Sequence, residues 1–185
     1  MGSKAETQNG TVRGCIESAL SELESLRDEM QDWYDGMPEA FQNADKGERV
    51  QAAADGLETL IGNVEEAVQA LDNADSAIPD DNDATPPSDI DVSYTQDTRK
   101  AQPRSTRLGN AMAMLDAAAG GLESWLSIAP MPEAAEVVEG LTEEEEAVAE
   151  ADAEKIAEMY DSVREAVDAL QGCDAGDVEF PGMYG

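Results

Sequence analysis

The chain has no histidine, only two cysteines, and an aromatic content of 4%. Without histidine, the commonest general base and the commonest metal ligand are both missing, and no glycine-rich phosphate loop follows a strand pattern. Catalysis is therefore hard to place: paired carboxylates acting as acid and base or holding a hard cation are the remaining route, and no catalytic residue, metal site or cofactor is expected. Cys15 and Cys173 are too far apart in sequence to form a metal-ligand motif, and two cysteines define no disulfide framework; both are read as reduced thiols. With so few aromatic rings, the core must be built from Ala, Leu, Val, Ile and Met, a composition that favours close-packed helices over a sheet sandwich. Long apolar runs are also absent: none approaches a membrane span, and Met1 to Gly10 lacks the apolar segment of a secretory signal. A cytoplasmic location is therefore expected.

Positive charge is the scarcest commodity. Eleven Lys and Arg face 42 Asp and Glu, for a formal net charge of -31. Such a chain is repelled by nucleic acid and by anionic membranes, so neither is an expected direct partner. Three readings of the acidity remain: a well-solvated, aggregation-resistant surface, adaptation to high salt, or a surface aimed at a basic patch on another protein.

What is present is periodicity. Val12, Ile16, Ala19, Leu23, Leu26, Met30 and Trp33 step by four and three, which is a heptad seam. Val50, Ala54, Leu57, Ile61, Val64, Val68 and Leu71 form a second, with Glu58, Glu65, Glu66 and Gln69 at outward positions. Between them, Gly36 can end one helix and Pro38 can open the next, which predicts a helical hairpin over 1–76. From 77 to 103 the chain turns to Asp, Asn, Pro, Ser and Thr and loses helical period, so it is read as a linker or extended arm. A third seam follows in Leu108, Met112, Leu115, Ala119, Leu122 and Leu126. The fourth comprises Ala149, Ala153, Ile156, Tyr160, Val163, Val167 and Leu170, preceded by Thr142 and Glu145 at capping-box spacing. These two make a second hairpin over 104–172, with a tail at 173–185.

The halves also match residue by residue. Met37-Pro38-Glu39-Ala40 recurs as Met131-Pro132-Glu133-Ala134, each shortly after a Trp. Val64-Glu65-Glu66-Ala67-Val68 is answered by Val163-Arg164-Glu165-Ala166-Val167. The spacing widens between these matches, consistent with a small insertion near Glu143 to Glu146. The expected fold is all-α: a tandem duplication of one hairpin, packed as a pseudo-symmetric four-helix bundle with its acids outside. Two separate hairpins, each seeking its own partner, are the alternative.

Several motifs have plainer readings than a binding site. Asp80-Asp81-Asn82-Asp83 looks like the start of a calcium loop but lacks the required Gly and the distal Glu, so no dedicated calcium site is expected. The Glu143 to Glu146 run suits the solvated first turn of a helix. Trp33, Trp125, Tyr34 and Tyr160 are expected to close the ends of the bundle. The tail Val178 to Gly185 carries apolar groups without helical period, and it reads either as a segment docked on the helices or as a linear motif for a partner.

The turn Trp33-Tyr34-Asp35-Gly36-Met37-Pro38-Glu39-Ala40-Phe41-Gln42, followed by Lys46-Gly47-Glu48-Arg49, resembles uncharacterised small acidic helical-hairpin proteins of bacteriophages and their hosts. That resemblance covers the first hairpin. It implies a hairpin fold and a phage setting, in the host cytoplasm during infection or in the virion, and carries no binding residues with it.

The expected function is that of a non-enzymatic accessory protein binding a basic surface of a protein partner, including the case where helical carboxylates imitate DNA phosphates. Candidate contact residues are Glu65, Glu66, Glu143, Glu144, Glu145 and Glu146, with Phe180, Met183 and Tyr184 in the tail. A virion-associated or scaffold protein that assembles through linker and tail, with self-association as a further option, is the alternative. A high-salt habitat would also account for the charge.

Overall fold

The computed structural model describes residues 5–78, 85–128, 143–176 and 178–182, with the side chains of 143–146 outside the description. The chain is mostly helical. Strand β1 (Ala5–Thr11) leads directly into helix α1 (Val12–Asp35), then come α2 (Glu39–Gln42) and α3 (Asp45–Ser76). A short 3-10 turn at Pro87–Asp89 precedes strand β2 (Asp91–Asp97), and α4 (Arg104–Ile128) and α5 (Glu143–Gln171) complete the order.

Local chemistry explains the boundaries. Thr11 caps α1 by accepting a hydrogen bond from the Gly14 amide at 3.1 Å, a donor that the helix itself leaves unpaired. The helix stops where the Gly36 amide returns to the Asp32 carbonyl. Pro38 then precedes the single turn of α2, and α3 begins with Asp45 and Glu48 in its first turn, where the helix dipole favours negative charge.

Helix α1 packs against α3 and α4, and α5 packs against the same two helices. The seam residues Ile16, Leu23, Leu26 and Met30 of α1 are buried with Leu57, Leu60, Val64 and Leu71 of α3, Leu115 and Leu122 of α4, and Val163 and Leu170 of α5. Removing each large side chain from water contributes about 1.5–3 kcal/mol. Ala19, Ala53, Ala67, Ala74, Ala111 and Ala118 are also buried, and their small side chains let helix backbones approach closely. Part of the fourth seam does not follow this pattern: Ala149 is exposed, as is its neighbour Val148, and Met159 is the first buried side chain of α5 among those described.

Ion pairs bracket the core. Arg13 joins α1 to α3 through Asp72 at 2.6 Å and Asp75 at 3.1 Å, and Arg27 does so through Glu58 at 2.6 Å. Arg107 bonds both Glu22 and Glu29, and Arg104 bonds Glu29 at 2.9 Å, joining α4 to α1. Burial by itself would raise the Glu29 pKa, but the hydrogen bonds from Arg107 and Arg104 outweigh it and hold the carboxyl below its ordinary value.

The fold departs from the all-helical expectation in its small sheet. β1 and β2 pair antiparallel from Ala5↔Asp97 to Thr11↔Asp91, centred on Gln8↔Tyr94. The stretch 77–103, read from sequence as linker or arm, therefore holds a strand over Asp91–Asp97 that lies along α4. Both strands alternate exposed and half-buried residues in the same pattern. Their inward side chains, such as Gln8, Gln96 and Tyr94, are too polar to produce the hydrophobic alternation that marks a strand. The sheet closes tightly where Val92 fits over Gly121, since a Cβ there would lie 2.5 Å from the valine methyl.

Candidate functional site

The acidic candidates on α3 fall on its solvent face. Glu65 and Glu66 are exposed, while Val64 and Ala67 on either side are buried, as a 3.6-residue period requires. Only Glu66 joins a larger constellation. It lines an open polar groove of about 580 Å³ between α3 and α5, together with Asp161, Arg164, Glu165 and Asp168. Arg164 donates to Asp161 at 3.0 Å, and Asn63 closes the groove by donating to the Gly172 carbonyl at 3.1 Å. The carboxylates therefore outnumber the single guanidinium among them, and the groove is a place where basic side chains would be attracted.

Sequence reasoning singled out Glu65 and Glu66 but not Asp161, Glu165 and Asp168. The repeat was the available signal: Glu66 and Glu165 occupy equivalent places in the two matching segments. Glu143, Glu144, Glu145 and Glu146 form the first turn of α5, and their side chains lie outside the described residues, as does Thr142 of the capping box. The acidic loop at 80–83 is likewise outside them.

In the tail, Val178 and Pro181 are buried and Phe180 is half-buried against the core. Val178 reaches the surface of α3, where its methyl would be 3.1 Å from a Cβ at Gly56. Glu179 lies 3.6 Å from Arg49. Thus Phe180 belongs to a segment laid back on the helices, the first of the two expected behaviours. Met183 and Tyr184 lie outside the described residues.

Of the aromatic candidates, Trp33, Tyr34 and Trp125 are half-buried and Tyr160 is buried. The Trp125 and Tyr160 rings meet tilted at 40°, 5.1 Å apart between centroids. Trp33 lies within cation–π range of both Lys46, at 5.5 Å, and Arg104, at 5.3 Å.

Both thiols are buried and free. Burial pushes the pKa of Cys173 up to about 11, with Asp116 adding to the effect, and burial also raises that of Cys15. Neither has the lowered pKa of a nucleophilic cysteine. Among the described residues, no group of three or more Cys, Asp or Glu is placed to hold a metal ion, and no helix is long and apolar enough to cross a membrane. Comparison with protein-family models, with curated proteins and with solved structures returns no match for this chain.

Proposed function

We propose that this is a non-enzymatic accessory protein that uses its acidic helical surface to bind a basic surface of another protein. The observation carrying this reading is where the scarce positive charge goes. All seven arginines, Arg13, Arg27, Arg49, Arg99, Arg104, Arg107 and Arg164, lie within 4.0 Å of a carboxylate of the same chain. Their charge is absorbed internally, and the excess of -31 remains to attract a cationic partner over about a Debye length, ~8 Å at physiological ionic strength. Glu65 and Glu66, with the groove carboxylates Asp161, Glu165 and Asp168, are the proposed contacts on the α3–α5 face, and Glu143 to Glu146 of the first turn of α5 are further candidates. Where the partner's basic surface is one that normally holds DNA, these carboxylates act in place of phosphates. The resemblance of the turn at Trp33 to Gln42 to phage hairpin proteins supports a phage-type setting for this reading, in the host cell during infection or in the virion.

The test is capture of host proteins on the immobilised chain at low and high salt, with duplex DNA as competitor. A partner released by salt and by DNA, and lost on reversing Glu65, Glu66, Asp161 and Glu165 to Lys, supports the reading. A complex indifferent to salt and to those reversals rejects it.

We also infer that the chain is a duplicated hairpin forming a pseudo-symmetric four-helix bundle. At a separation of 92 positions, Ile16, Ala19, Leu23 and Met30 of α1 coincide with Leu108, Ala111, Leu115 and Leu122 of α4, all buried, and Trp33 coincides with Trp125. At 99 positions, Leu60, Ile61, Val64, Ala67 and Leu71 of α3 coincide with Met159, Tyr160, Val163, Ala166 and Leu170 of α5, again all buried. Matched truncations test this: Leu23→Ala and Leu115→Ala should lower the melting temperature alike, as should Val64→Ala and Val163→Ala, and clearly unequal losses within both pairs count against it.

A further inference from the structure

The outer edge of β2 has no third strand beside it among the described residues. In such a ladder, successive residues point their N–H and C=O alternately toward and away from the partner strand. The Asp97 amide donates to Asn110 Oδ1 at 2.9 Å, and Asn110 Nδ2 donates to the Asp97 carbonyl at 3.0 Å. Both polar groups of Asp97 therefore face α4, away from β1. The Ile90 carbonyl, of opposite parity, accepts from the Val12 amide at 2.9 Å on the β1 side, as the alternation demands. It follows that Thr95, Ser93 and Asp91 also direct their amides and carbonyls to the outer edge. Asn110 stands where the next strand would begin, and beyond it no described group pairs with these edge amides and carbonyls.

Beside this edge runs an open groove of about 590 Å³ between β2 and α4, lined by Asp91 and Ser93 on one side and by Ala117, Gly120, Ser124 and Ile128 on the other. The small residues leave room over the helix: a Cβ at Gly120 would meet nothing within 4 Å. At the far end Ile128 is 81% exposed. A two-stranded ribbon with an open edge above an apolar floor accepts an extended segment through main-chain hydrogen bonds, with alternate side chains entering the groove.

Charge selects the occupant. No Lys or Arg lines the groove. At one end of the strand Arg99 neutralises Asp97 at 2.6 Å, whereas Asp91 at the other end has no ion-pair partner among the described residues. A second copy would bring its own Asp91 and a further -31 to the same edge. We propose that the β2 edge binds an extended peptide segment of another protein, with small apolar side chains facing α4 and a Lys or Arg beside Asp91. This surface is separate from the acidic groove between α3 and α5, and reversing Glu65 and Glu66 leaves it intact.

The probe is a short synthetic peptide of alternating valine and threonine flanked by lysines, with a glutamate-flanked version and one N-methylated at the amides that face β2. Amide hydrogen exchange by NMR reads the site on the full chain. Expected are slowed exchange at Ser93 and Thr95 with the lysine-flanked peptide, binding at least about tenfold weaker for the glutamate-flanked one, and loss of binding on N-methylation. Ser93→Pro removes an outward amide without touching the β1 pairing, and Ala117→Trp fills the groove from the helix side, so each should abolish protection while helical circular dichroism is retained. The proposal is overturned if the lysine-flanked peptide fails to bind, or if both variants bind it as the parent does. Equal binding of the glutamate-flanked peptide overturns it too. Ser93 and Thr95 amides already protected in the free chain also overturn it, identifying a second copy where protection grows with concentration and the chain's own segment where it does not.

Discussion

Val92 of β2 rests on the bare α-carbon of Gly121 in α4, so closely that a Cβ would lie 2.5 Å from its methyl and 3.3 Å from a methyl of Val12. One missing side chain thereby lets the strand lie on the helix and the start of α1 close beside both. The adjacent Gly120 has open space in the same direction from its own α-carbon. Gly121→Ala should destabilise the protein by about 1–3 kcal/mol through overpacking. Gly120→Ala should stabilise it by up to about 1 kcal/mol, because alanine is the better helix former and meets no obstruction. Denaturant unfolding of the two variants side by side checks the contrast, and equal effects would refute the close packing of β2.

The cluster of Glu29, Arg104 and Arg107 makes part of the stability depend on acid. The folded-state pKa of Glu29 is lowered, so its contribution is fully present above the unfolded-state carboxylate pKa and is lost as pH falls through the folded value. Glu29 is 37% exposed, so solvent screening keeps the contribution to about 1 kcal/mol or less. Glu29→Gln should therefore lower stability at neutral pH and converge with the parent protein in strong acid. A constant gap across the acid range would show that the ion pairs are not its cause.

Cys15 and Cys173 should resist alkylation in the folded protein. With a pKa of about 11, Cys173 holds only about one thiolate per thousand molecules at pH 8, and both side chains are covered. Iodoacetamide labelling followed by mass spectrometry should find both thiols unmodified until denaturant is added. Rapid labelling of Cys173 under native conditions would refute its burial.

Val178 covers the first half of α3 at Gly56, and its truncation tests whether the tail contributes to stability. Val178→Ala should cost about 1 kcal/mol, in the range of small core truncations, without changing the helical content. A neutral Val178→Ala, measured by thermal unfolding, would return the tail to the role of a free linear motif.

Much of the helical layout was legible because burial imposes a period. The seam from Val12 to Met30 is written as apolar residues three and four apart, and each of those residues is buried for the same reason: one face of α1 meets α3 and α4. Glu65 and Glu66 were legible as solvent-facing by the same rule. The period was misleading in the first half of α5, where Ala149 continues the pattern but is exposed. The strands were not legible at all. Ala5 to Thr11 and Asp91 to Asp97 bury mainly polar or small side chains, and their pairing joins residues 80 or more positions apart, a relationship no local pattern encodes. The acidic groove was half legible, since Glu66 lies on a recognisable face but its meeting with Asp161, Glu165 and Asp168 depends on how α3 and α5 come together.

By itself, then, the amino-acid order determined the helices, the faces they bury, the absence of imidazole chemistry and the large negative excess, because each of these follows from composition or from the repeat distance of one helix. Only the tertiary structure decided that Asn110 caps the backbone of Asp97, that Gly121 admits Val92, and that the edge of β2 opens onto a groove. Those outcomes arise from main-chain hydrogen bonds and close contacts between segments distant in sequence, and such bonds are formed by every residue type alike, so they leave no compositional trace.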